Sequence, residues 1–243
     1  MANSSIISGK VFLHFCLISC LIMGIFGCNN KNVNKTFIRG KMKIQLVVCG
    51  SFMENCYVAG DENEVIVIDP GDDADKIIKA IGSRKVKYIL NTHAHVDHIG
   101  AVTELRKKYG SPFGIHKLEK PLLSDPQKNL SAYTTGPMTI ADADIYFNDG
   151  DEIDFLGGKI KVLHTPGHTP GGCCFLFEKV LFTGDTLFNM SIGRTDFPGG
   201  SYENLLKSIK EKLFTLSDDT EIFPGHMDKS TIGHEKRNNP FLR

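Results

Sequence analysis

Between Thr92 and His98 the chain reads Thr-His-Ala-His-Val-Asp-His, which places His93, His95, Asp97 and His98 within one short stretch. No other feature limits the possible folds as strongly. Such crowding adds nothing to an apolar core, because buried imidazoles need partners. Neutral imidazole suits Zn, Fe and related ions, and a carboxylate adds charge and hardness to the site. Residues 86–91, before the cluster, alternate and are β-branched enough for a strand; residues 99–109, after it, read as a helix. The fold must therefore present a rigid strand-to-helix turn on which a site is built.

The spacing carries geometry. His93 and His95 are two apart, so on an extended stretch both side chains point the same way. Asp97 continues the alternation and His98 breaks it, so the start of the helix turns this pair toward a second point. One loop can then serve two ions roughly 3.5–4 Å apart, the separation of two-metal sites generally.

Three downstream pieces complete a pattern. Thr165-Pro-Gly-His-Thr-Pro-Gly171 offers His168, Phe182-Thr-Gly-Asp-Thr-Leu-Phe188 offers Asp185, and Phe223-Pro-Gly-His226 offers His226. Each follows an apolar run, which puts the site segments at strand ends facing one edge. His-x-His-x-Asp-His, with these pieces in this order, resembles the metallo-β-lactamase superfamily over residues 42–243. The resemblance implies an α/β fold of the αββα sandwich type. It also implies a ligand set: His93, His95 and His168 for one ion, Asp97, His98 and His226 for another, and Asp185 bridging both with its two oxygens. Asp69, in Ile68-Asp-Pro-Gly71, matches a further family position and is expected to brace the ligand loop. The implied cofactor is two divalent metal ions, zinc first, with iron or manganese compatible. No cysteine occupies a ligand position, unlike many true β-lactamases, which speaks against antibiotic hydrolysis. His116, at the end of an expected strand, His164 and His234 read as ordinary strand or loop histidines.

The resemblance implies a hydroxide held between the two ions as nucleophile, oriented by Asp97. A thiolate leaves easily, since a free thiol has a pKa of roughly 8.5. An amide nitrogen needs a proton donor, and the motifs supply none beyond the ligands. Thioesters, lactones and activated esters are thus favoured. Residues 192–200 (Ile-Gly-Arg-Thr-Asp-Phe-Pro-Gly-Gly) and 231–242 look like the short bacterial glyoxalase-II-like branch, the hydroxyacylglutathione hydrolases of S-lactoylglutathione. Full-length enzymes of that kind carry a longer helical C-terminal region that supplies cations to glutathione; here the chain stops soon after His226, which leaves another acyl thioester open. Arg194 has two readings: a fork for a substrate carboxylate, or a local ion pair with Asp196. The runner-up activity is a persulfide dioxygenase with a single iron on His93, His168 and Asp185; those proteins share the Gly-Arg-Thr-Asp-Phe stretch. Pro198-Gly-Gly200 and Pro224-Gly-His226 look more like the hydrolases. A non-catalytic metal-binding module ranks last, since a complete ligand set with open positions implies chemistry.

Charge narrows the partners. The 28 basic and 28 acidic residues balance, so no basic field recommends nucleic acid, and a small-molecule thioester is the expected partner. Strands are expected at 44–48, 55–58, 65–68, 88–91, 153–155, 160–163, 174–177 and 180–182, with a hairpin turn at Gly157-Gly158. Helices are expected at 73–81, 99–109 and 202–216, the last amphipathic and capped by Ser201. Residues 117–141 resist assignment and are expected to form a mobile cover.

The domain is expected to span 42–243, with 1–41 an N-terminal extension. Residues 11–26 are apolar, follow Lys10 and resemble a signal peptide, and Ile25-Phe-Gly-Cys28 loosely resembles a lipoprotein box. Lipidation at Cys28 would tether the protein to a membrane through a linker over 29–39. The competing expectation is translation from Met42, with residues 1–41 untranslated. Cys49, Cys56, Cys173 and Cys174 read as free buried thiols, which favours the cytoplasm.

Overall fold

Alternation along β2 (Met42–Cys49) decides how the first sheet is buried. Met42, Ile44 and Leu46 face a second sheet, while Val47 and Cys49 face helices on the other side. Both faces are covered, so neighbouring strands carry near-continuous apolar runs. The computed structural model describes residues 35–243. The signal-like run and Cys28 lie outside the described residues. Residues 36–39, read from sequence as the end of a linker, form a strand instead: β1 (Thr36–Arg39) pairs antiparallel with β2.

The first sheet has seven strands in sequence order. After β1 and β2 come β3 (Glu54–Gly60) and β4 (Glu64–Ile68), then helix α1 (Ala74–Ile81) and β5 (Lys85–Asn91), which lies parallel to β4. Helices α2 (Val96–Ile99) and α3 (Val102–Tyr109) lead to β6 (Phe113–His116); α4 (Lys120–Leu123) and a loop lead to β7 (Ile145–Phe147). The chain then builds the second sheet from β8 (Glu152–Phe155), β9 (Gly158–His164), β10 (Cys173–Phe177) and β11 (Val180–Gly184). A small ribbon of β12 (Leu187–Phe188) and β13 (Ser191–Ile192) follows, then α5 (Tyr202–Glu211), β14 (Glu221–Pro224), β15 (Ser230–Thr231) and α6 (Ile232–Asn238). The sheet order is β15-β14-β11-β10-β9-β8, with β14 parallel to β11.

Three apolar layers hold this together. Ile44, Tyr57, Ile66, Phe175, Phe182 and Phe223 fill the space between the sheets. Ile77, Ile81, Val102 and Leu105 seal α1 and α3 onto the first sheet, and Leu205, Ile209, Leu213 and Ile232 seal α5 and α6 onto the second. Each fully buried large side chain contributes about 1.5–3 kcal/mol. The result is the expected αββα sandwich. The carboxyl ends of β4, β5, β9, β11 and β14 are followed directly by the segments holding Asp69, the 92–98 cluster, His168, Asp185 and His226.

Four local expectations differ from the structure. The helix expected at 202–216 ends at Glu211 and gives way to a 3-10 turn over Leu213–Thr215. The helix expected at 99–109 starts at Val96 and breaks at Gly100-Ala101, because the Ala101 N–H donates to Pro70 O (2.9 Å). The turn at Gly157-Gly158 falls one residue earlier, on Leu156-Gly157, leaving Gly158 paired with Phe155. The segment 117–141 is not a loose cover: it makes α4 and two 3-10 turns, buries Glu119, Asn129 and Ser131, and receives the Val96 N–H on Asn129 O (2.9 Å).

Candidate metal centre

The turn after β5 delivers its four side chains as the spacing predicts. His93 and His95 lie on the extended part, and Asp97 and His98 on α2. The loop after β9 brings His168 to them, the end of β11 brings Asp185, and the end of β14 brings His226. All seven side chains meet. The ligating atoms of His93, His95 and His168 lie within 4.8 Å of one another, as do those of Asp97, His98 and His226, and those of His93, His98 and Asp185. Asp185 stands between the two trios: Oδ1 is 3.4 Å from His98 Nε2, and Oδ2 is 3.5 Å from His168 Nε2 and 3.8 Å from His226 Nε2. Asp97 Oδ2 is 3.3 Å from His226 Nε2.

The ring nitrogens are aimed from outside. His168 Nδ1 donates to Arg194 O (2.7 Å), which turns Nε2 inward. His98 Nδ1 lies 3.1 Å from Asp69 Oδ2. Asp69 also accepts from the Thr92 N–H and hydroxyl, both at 2.7 Å. It thus sits behind the cluster and ties the root of the 92–98 turn to β4. Close approach is enforced at Gly225, where a Cβ would lie 2.5 Å from Asp185 Oδ1 and 2.6 Å from His98 Cε1. Any side chain there would displace both groups.

Electrostatics divide the cluster. Burial, with the neighbouring imidazoles, lowers the pKa of His93 and takes that of His95 down to about 3; burial also lowers His168. These three rings are neutral, with lone pairs available. Burial opposes charge on His98 and His226 as well, yet Asp185 and Asp97 outweigh it and raise both. Burial is likewise overcome at Asp97, held down to about 2 by His98 and His226, and at Asp185, held well below the usual carboxylate range. The two carboxylates call for nearby positive charge. The orphaned donor set of His93 Nε2, His98 Nε2 and Asp185 Oδ1, buried without hydrogen-bond partners, is what a cation would satisfy. The residues present therefore fit metal ions.

Other positions take quieter places. The Arg194 guanidinium forks onto Asp196 (2.9 and 2.7 Å) and lies 4.3 Å from the centre of the Phe197 ring. Phe197 in turn packs edge-on against His95 and His168. His116 and His164 stack on one another with centroids 4.0 Å apart, and His234 is exposed. Sequence reasoning passed over Asn55, Glu54 and Glu119. Asn55 Nδ2 donates to Pro224 O and Met227 O, fixing the turn that carries His226. Glu54 is buried beside Asp69 and His98 with neither oxygen bonded, and burial pushes its carboxyl well up. Glu119 is fully buried, 24 residues past His95 in sequence, and touches two ligand loops. The sequence offered one weak signal, a carboxylate at the start of the strand-like Asn55-Cys-Tyr-Val58 run; Glu119, in Lys117-Leu-Glu-Lys120, offered none.

The family model of the metallo-β-lactamase superfamily matches residues 49–226. The chain belongs to the metallo-β-lactamase superfamily. Within it, the chain is 40% identical over 208 residues to a hydroxyacylglutathione hydrolase, GloC, of Haemophilus influenzae, covering 83% of this chain and 98% of that protein. The structure of BLEG-1, described as a B3 metallo-β-lactamase, superposes with a TM-score of 0.78 at 39% identity, over 82% of this chain and 99% of that one. A di-iron-bound form of TTHA1623 gives a TM-score of 0.72 at 35% identity, over 81% and 99%. Site and family together make the chain a metallo-hydrolase of this superfamily.

Proposed function

We propose that this metallo-hydrolase cleaves acyl thioesters resembling S-lactoylglutathione and works with two divalent ions, zinc foremost. The observation that carries the reading is the pair of adjoining trios, His93/His95/His168 and Asp97/His98/His226, with Asp185 between them. The 40% identity to GloC supports the substrate class. When bound, the ions supply Lewis acidity toward a carbonyl oxygen and lower the pKa of water toward about 7.

The chain's own residues do the rest. Asp97 and Asp185 retain a little exposure, unlike the buried His98, so they form the floor that a substrate meets. Asp97 Oδ2 orients the attacking water. The Phe197 ring keeps solvent off the His95 and His168 side. Arg194, half-exposed on the rim and paired with Asp196, exchanges part of that pair for a substrate carboxylate. A departing thiolate needs no proton donor, which favours thioesters over amides.

A panel of thioesters, one lactone, one cephalosporin and one persulfide, assayed with metal content measured in parallel, tests the reading. Thioester turnover with two ions per chain is expected. A single iron with oxygen consumption on the persulfide would replace the reading by the dioxygenase, and cephalosporin turnover alone would replace it by a lactamase. A protein loaded with two ions and inert toward every thioester would end it.

A further inference from the structure

Glu119 belongs to no motif, yet its carboxylate is fully buried and used at both oxygens. Oε2 accepts the Ala94 N–H at 2.8 Å, and Oε1 accepts the Gly171 N–H at 2.7 Å. Ala94 separates His93 from His95, and Gly171 closes the loop that carries His168. One side chain therefore bonds the backbone of both loops that bear the first trio, and it comes from a third element, the 3-10 turn after β6. The base of this arrangement is itself anchored, since His116 at the end of β6 stacks on His164 at the end of β9.

The geometry points to Glu119 as the positioning residue of the His93/His95/His168 site: its carboxylate fixes the distance between the two loops and so the fit of that site, and not of the Asp97/His98/His226 site, to a cation. This rests on the metal-binding reading above and extends it to a residue outside the ligands. Two converging backbone donors need an acceptor with two oxygens, and hydrogen bonds to a charged acceptor are about twice as strong as neutral ones. Glutamine offers one oxygen and turns a second N–H against a donor. Aspartate is a methylene too short to span the gap. The approach is also tight: a Cβ on Gly171 would lie 2.7 Å from Glu119 Oε1. Gly171→Ala thus pushes the carboxylate away without touching a ligand.

The test uses zinc alone, with no substrate, in two backgrounds of the full chain. His226→Ala weakens the second site and leaves the first; His168→Ala does the reverse. Affinity is read by competition with a chromophoric chelator, and folding by circular dichroism. Glu119→Gln is expected to weaken zinc binding at least tenfold in the His226→Ala background and less than threefold in the His168→Ala background. Gly171→Ala is expected to repeat that selectivity, and it decides the matter where Glu119→Gln does not fold. Equal weakening in both backgrounds, or none in either, overturns the inference. Loss of thioester turnover in the unaltered chain would sink the proposed substrate class and leave this result standing.

Discussion

At the scale of single residues, several of the candidate ligands are aimed by neighbours outside the cluster, while His95 Nδ1 meets His168 Nε2 within it at 2.9 Å. Asp69 illustrates the point, holding Thr92 and facing His98 Nδ1 at once. Asp69→Ala is expected to lower metal affinity about 10–100-fold, the usual cost of losing such a partner, measured by zinc competition. Asp185→Ala removes the only carboxylate lying between the trios among the described residues; bound metal should fall below two per chain and thioester turnover below detection, checked by elemental analysis and a thiol-release assay. Arg194→Ala is expected to raise KM and leave kcat nearly unchanged; unchanged kinetics would leave it a structural role beside Asp196 and Phe197. The 92–98 cluster was legible from its residue types and spacing, and His168, Asp185 and His226 through the resemblance of their short motifs to those of the superfamily. Asn55, Glu54 and Glu119 were not, because their roles come from contacts across the sandwich. Asn55 reaches a turn 169 positions away, and nothing local marks it for that.

At the scale of elements, strands read more cleanly than the helix beside the site. Alternation and β-branching placed β2–β5 and β8–β11 but not β1 or β7, and the one-residue shift of the 156–157 turn left the β8–β9 pairing intact. The helix at 99–109 was misjudged because its break depends on a tertiary bond, Ala101 N–H to Pro70 O, which pulls α2 onto the loop after β4. The resistant stretch 117–141 lacks periodicity because its bonds are those of turns and caps. In α5 the reading was simple: Leu205 and Ile209 are fully buried, and the Ser201 hydroxyl accepts the Asn204 N–H. Leu205→Ala is expected to cost about 2–5 kcal/mol, read from denaturant midpoints. Strand β10 makes a pH prediction. Burial raises the Cys174 thiol from its ordinary value near 9 to about 11. A group that holds its proton more firmly when folded stabilises fully below its unfolded pKa. That contribution is therefore complete below pH 9 and lost as pH climbs to 11. Cys174 should resist an aromatic disulfide reagent at pH 8 until guanidinium unfolds the chain; labelling of the native protein would contradict this.

At the scale of the whole molecule, metal and fold are linked, since the two sheets meet at the site. Free metal at 1,000 times its dissociation constant stabilises by about 4.1 kcal/mol per site. With two sites, chelation is therefore expected to lower Tm on the order of 20 °C for a chain of this size, restored by zinc; an unmoved Tm would show that the sandwich stands without it. The division of the ligands carries one more consequence. His93, His95, Asp97 and His98 all precede the Asn148-Asp149-Gly150-Asp151 turn that joins the two sheets, and His168, Asp185 and His226 all follow it. Neither portion alone carries the full set of proposed ligands. Severed at that joint, the two fragments become mutual dependents, each useless for catalysis without its complement, and the ion becomes the currency of their reunion.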